Sequence, residues 1–89
     1  MVELPIATRA MKDETGRYRR FYYKLIIDQI ETDAFVCEAY GVIVYETDGD
    51  CVTIPNITVS ADRIDELLSM LVEHSVGPVG TPDVVADWL

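Results

Sequence analysis

When the first 31 residues are folded back on themselves, two apolar rows coincide, and nothing else in the sequence restricts the fold so tightly. In VELPIATRAM, Val2, Leu4, Ile6 and Thr8 share one side by alternation, the pattern of a half-buried strand. In RYRRFYYKLIIDQIE, Phe21, Tyr23, Leu25 and Ile27 do the same. DETG lies between them, with Gly16 free to take the left-handed conformation that closes such loops. A loop over residues 13–16 pairs Lys12 with Arg17, which sets Ile6 opposite Tyr23, Leu4 opposite Leu25 and Val2 opposite Ile27. A slip of one residue would turn one of the rows to solvent. The segment is a β-hairpin.

The remaining elements follow by the same means. TDA marks a reversal, and FVCEAYGVIVYET is rich in β-branched and aromatic residues, as strands are. Asp48-Gly49 is a type I′ hairpin signal, which predicts Tyr45 opposite Val52 and Ile43 opposite Ile54. Pro55 should stop the fourth strand, CVTIP, and place it at an edge or bulge. Ser60 reads as an N-cap with Asp62 in the first turn; Ile64, Leu67, Leu68, Leu71 and Val72 then form one helical stripe that Gly77 and Pro78 end. Thr81 reads as a second N-cap, with Pro82 at the first helical position, and Val84 with Trp88 and Val85 with Leu89 form i, i+4 pairs. So short a helix is not stable alone in water, so it must dock. Val84 and Trp88 are the expected structural anchor of this tail, lying against Leu71 over the end of the sheet core.

The expected fold class is α+β: a four-stranded antiparallel β-meander followed by two C-terminal helices packed on one face. Residues 1–89 form a single domain, with strands at about 2–12, 17–31, 35–47 and 50–55 and helices at about 61–76 and 82–89. The expected core side carries Val2, Leu4, Ile6, Phe21, Tyr23, Leu25, Ile27, Ile43, Tyr45, Val52 and Ile54. One register stays open: a three-residue loop between strands two and three keeps odd positions together, and a two-residue loop swaps the third strand's faces.

The charge of −9 excludes more than it suggests. RYRRFYYK interleaves arginines with aromatics, as sheet-based single-strand binders do. Phe21 and Tyr23 belong to the core row, however, and a strongly acidic domain repels the phosphates that supply most such affinity. Nucleic acid is therefore not the expected partner. Six of the seven basic residues lie in the first 24 positions, so the chain is polarised along its length. The apolar run AFVCEAYGVIVY is short and carries Glu38, and MVELPI lacks the basic start and apolar stretch of a signal peptide. A cytoplasmic protein with no membrane span is expected. Cys37 and Cys51 fall roughly 30 Å apart along the strand pair, beyond the about 7 Å that a disulfide spans, and should be free thiols.

No residue pattern carries a catalytic, cofactor-binding or metal site. His74, the only histidine, falls in the last turn of the long helix and suits its dipole. A zinc site from Cys37, Cys51 and His74 fails on distance and spacing. Asp48, Gly49 and Asp50 are too few for a calcium loop.

The stretches AYGVIVYE, NITVSADRIDELLSMLVEHSVGPV and PDVVADWL resemble a family of short clostridial-type (Firmicutes) bacterial proteins of unknown function. Its members show a Tyr-Gly strand, a leucine-rich helix, a V-x-P turn and an ending like DVVEDFL. The resemblance covers Phe21 to Leu89 and departs at GPVGTP, where the family carries a bulkier linker. It implies a bacterial cytoplasmic origin and transfers no functional residue.

The expected function is a non-catalytic protein-interaction domain that self-associates as a homodimer, with a further protein partner unknown. Its interaction face is expected on the sheet side away from the helices, through Tyr22, Ile26, Tyr40, Val42 and Val44, with Ile30 and Val36 beside them, a set too apolar for open solvent. The alternative is a small enzyme or ligand-binding subunit whose site forms only in an oligomer.

Overall fold

A computed structural model describes residues 1–89. Strands β1 (Val2–Lys12), β2 (Tyr18–Glu31), β3 (Val36–Glu46) and β4 (Cys51–Thr58) form one antiparallel sheet in sequence order. Helices α1 (Ala61–Glu73) and α2 (Thr81–Trp88) follow, giving the expected β-β-β-β-α-α arrangement. No helix is long and apolar enough to cross a membrane.

The first hairpin keeps the expected pairs Val2–Ile27 and Leu4–Leu25, then departs. Its loop spans residues 13–17, one longer than expected, and Lys12 pairs with Tyr18. The Asp13 carboxylate organises that loop, accepting from the Thr15 hydroxyl (2.6 Å) and from the Thr15 and Arg17 amides (3.0 and 2.9 Å). The extra residue is returned by a β-bulge at Ile6, so that Ala7, not Ile6, faces Tyr23.

The second turn overturns the expected faces of β3. Glu31 pairs with Val36, so the loop holds four residues, an even number, and the third strand's faces swap. Tyr23 lies opposite Val44 and Leu25 opposite Val42. Val42 and Val44 therefore lie under the helices, while Ile43 and Tyr45 take the other side. The third turn also differs from the type I′ expectation. Glu46 bonds to Asp50 across a three-residue loop, the left-handed residue is Asp48, and Tyr45 faces Cys51. The two shifts cancel: Val52 and Ile54 still pack against the core because they pair with Val44 and Val42.

Phe21, Tyr23, Val42 and Val44 meet Ile64, Leu67, Leu68, Leu71 and Val85 in one buried cluster. The Ser60 hydroxyl caps α1 by accepting from the Arg63 amide at 3.3 Å. The helix ends earlier than expected, at Glu73, because Ser75 takes the left-handed conformation (φ 50°) and the Ser75 and Val76 amides turn back to Val72 and Leu71. Gly77 has a different use. A Cβ there would come within 2.9 Å of the Phe21 ring, so the glycine lets the loop lie flat on it. Beside it the Tyr23 hydroxyl donates to the Val76 carbonyl at 2.8 Å.

The helix-free face is not open in the ordinary sense, since Ile26, Ala39 and Ile43 are buried on it. Gly41 pairs with Ile26, and a Cβ at Gly41 would lie 2.3 Å from the Ile54 carbonyl oxygen and 2.7 Å from Pro55 Cα. The backbone of β4 therefore crosses that face. It does so at an irregularity near Pro55, where Asn56 is left-handed (φ 55°) and the strand continues to Thr58.

Candidate functional site

The five residues expected to form one interaction face are split between two. Tyr22 and Ile26 lie on the helix-free side, whereas Tyr40, Val42 and Val44 lie on the helix side. Val42, Val44 and Ile26 are all fully buried, so none of them can meet a partner. The parity of the loop at residues 32–35 is the cause. Apart from Ile30, which is exposed on it, the helix-free side offers polar and aromatic groups to solvent. Tyr22 stacks on Tyr45 with centroids 4.8 Å apart, the Lys24 ammonium sits 5.3 Å over the Tyr45 ring, and the same ammonium lies 3.6 Å from Glu3.

In the tail, Val84 and Trp88 are partly buried against the core, with the Arg63 guanidinium 4.1 Å over the indole. The fully buried contacts come from their neighbours Val85 and Thr81. Thr81 is not the N-cap; Gly80 is, without a side-chain bond, and the Thr81 hydroxyl donates instead to the Gly77 carbonyl at 2.8 Å. His74 is exposed at the end of α1, and Cys37 and Cys51 are free thiols.

Two shallow clefts meet at the Ile6 bulge. One, of about 290 Å³, lies between β1 and α1, floored by Ile6, Ala7, Leu68 and Val72 and rimmed by Asp65, Ser69 and Glu73. The other, of about 250 Å³, lies on the opposite face of the same strand, against Pro5, Thr8, Tyr22, Lys24 and Tyr45. Sequence reasoning missed both. Pro5 in the middle of a strand was the available signal, since proline within a sheet is confined to edges and bulges. A third cleft runs between Phe21 and the loop at 77–80. Arg19 lines it but is committed to Glu46 by two bonds of 2.7 and 2.9 Å. That pairing holds the Glu46 carboxyl below its ordinary range and the Arg19 guanidinium above its own.

A family profile matches residues 2–89, essentially the whole chain. The chain belongs to DUF6514, a family of unknown function. No curated protein and no solved structure matches it. Because the DUF6514 match includes β1, the strand that carries the bulge and both clefts lies within the family's own boundaries.

Proposed function

We propose that this DUF6514 chain is a non-catalytic protein-interaction domain that self-associates as a homodimer in a bacterial cytoplasm. The observation that carries this reading is the uncovered end of the sheet. A strand of 14 residues such as β2 spans roughly 46 Å, whereas the 13 residues of α1 span roughly 20 Å, so the β2–β3 hairpin runs out past the helix layer. At that end Val2, Phe35 and Val36 keep between 53% and 57% of their surface exposed. Apolar exposure of this kind marks association sites on folded domains.

A second copy is the proposed occupant, because the same apolar end on two copies is self-complementary and allows a closed twofold arrangement. Sedimentation equilibrium across the micromolar range tests this. A monomer–dimer equilibrium that Phe35→Ser with Val36→Lys weakens is expected. A clean monomer at the highest concentration would refute the proposal.

A further inference from the structure

The clefts at Ile6 open on the two faces of one unpaired sheet edge. β1 is the outermost strand, so its outer main-chain groups meet no neighbour. From Ala7 to Lys12 it keeps a regular register with β2 and presents a straight edge. The bulge turns Ile6 into a wall shared by both clefts, in the way bulges re-aim side chains at sheet edges. A strand laid against such an edge gains main-chain hydrogen bonds, and its side chains point alternately to the two faces.

We infer that this edge takes an extended segment of a partner protein by strand addition, with basic side chains toward α1 and apolar ones toward the tyrosines. The inference rests on the interaction-domain reading and names a second, separate contact. On the α1 side the floor is apolar and the rim is acidic through Asp65 and Glu73. A lysine or arginine fits that combination, laying its methylene stem on Ala7 and Val72 with its charge at the rim. On the other side Lys24 already supplies a cation beside Tyr45, which disfavours a second one and leaves the stacked rings to an apolar side chain. The opposite edge is less suited. Both edges carry a proline and an irregularity, but β1 keeps the six residues Ala7–Lys12 regular beyond its own, whereas β4 is interrupted in mid-strand near Pro55 and left-handed at Asn56.

The test uses the full chain, labelled with nitrogen-15, and a short peptide alternating lysine and valine. Binding is expected, with amide shifts centred on Ile6, Ala7, Thr8 and Ser69. Asp65 and Ser69 are exposed, so Asp65→Lys and Ser69→Arg should leave the spectrum folded while weakening the peptide about tenfold or more. A matching peptide of glutamate and valine should not bind. The inference is overturned if the lysine peptide fails to bind at millimolar concentration, if its shifts centre on the hairpin tip, or if the glutamate peptide binds equally. It is also overturned if Ser69→Arg abolishes the dimer, because the groove would then belong to a second copy. A parent chain that dimerises but does not bind the lysine peptide leaves the self-association reading standing alone. A monomer that still binds the lysine peptide removes that reading and keeps the edge site.

Discussion

Three single residues carry backbone or hydroxyl duties that their types alone would not announce. Gly41 is the most constrained, because a methyl group there would overlap the β4 backbone, which cannot move aside as a side chain would. Gly41→Ala should cost about 3 kcal/mol or more, a large share of the stability of a small domain, and chemical denaturation would read it. Ser75 shows the reverse case, a non-glycine residue held at φ 50°. Ser75→Gly relieves that conformation and should raise stability by about 0.5–1 kcal/mol, less whatever the 3.3 Å bond from Arg9 contributes. The Tyr23 phenol is pushed up to about 12 by burial, with Arg9 pulling slightly the other way. Its folded value lies above its unfolded value of 10.0, so its contribution is whole below pH 10 and falls away as pH rises toward 12. Urea titrations between pH 9 and 12 should show that alkaline loss, and Tyr23→Phe should flatten it.

At the scale of the elements, order and type were legible, because apolar alternation and helix caps are local signals. Of the predicted residue pairs only Val2–Ile27 and Leu4–Leu25 hold, since each turn length differs from the one expected. β3 was ambiguous for a physical reason. Val42, Ile43, Val44 and Tyr45 are all apolar, so alternation is silent there and only the parity of a loop decides which of them face the helices. The candidate site was illegible for a related reason: it exists because a bulge compensates a loop one residue longer than the alternation implied. In α2 the i, i+4 pattern pointed to Val84 and Trp88, but Thr81 and Val85 occupy the innermost positions because the helix is rotated toward α1 and β4. Val85→Asp should therefore detach the helix and expose the core, with loss of cooperative unfolding. Trp88→Ala removes a partly buried ring under Arg63 and should cost about 1–2 kcal/mol, below the about 3–5 typical of a buried tryptophan. Intrinsic fluorescence of Trp88, the only indole, reads the first change, with full solvent quenching for Val85→Asp against partial protection in the parent chain, and chemical denaturation reads the second.

For the whole molecule, the sign of the salt response follows from where the charges lie. Asp28, Glu31, Asp33 and Glu38 gather at the hairpin tip of a body 54 Å long, and each copy carries a net charge of −9. Copies that meet through that tip repel at low ionic strength, and moving from 20 to 500 mM salt, which shortens the screening length several-fold, should strengthen the dimer. The same length has a hydrodynamic result. The radius of gyration is 14.1 Å, against about 12 Å for a compact chain of this size and matching a compact chain of roughly 130 residues. A single copy will therefore leave a sizing column ahead of its 10.0 kDa mass, and a calibration built on spheres will report a particle about half again too heavy.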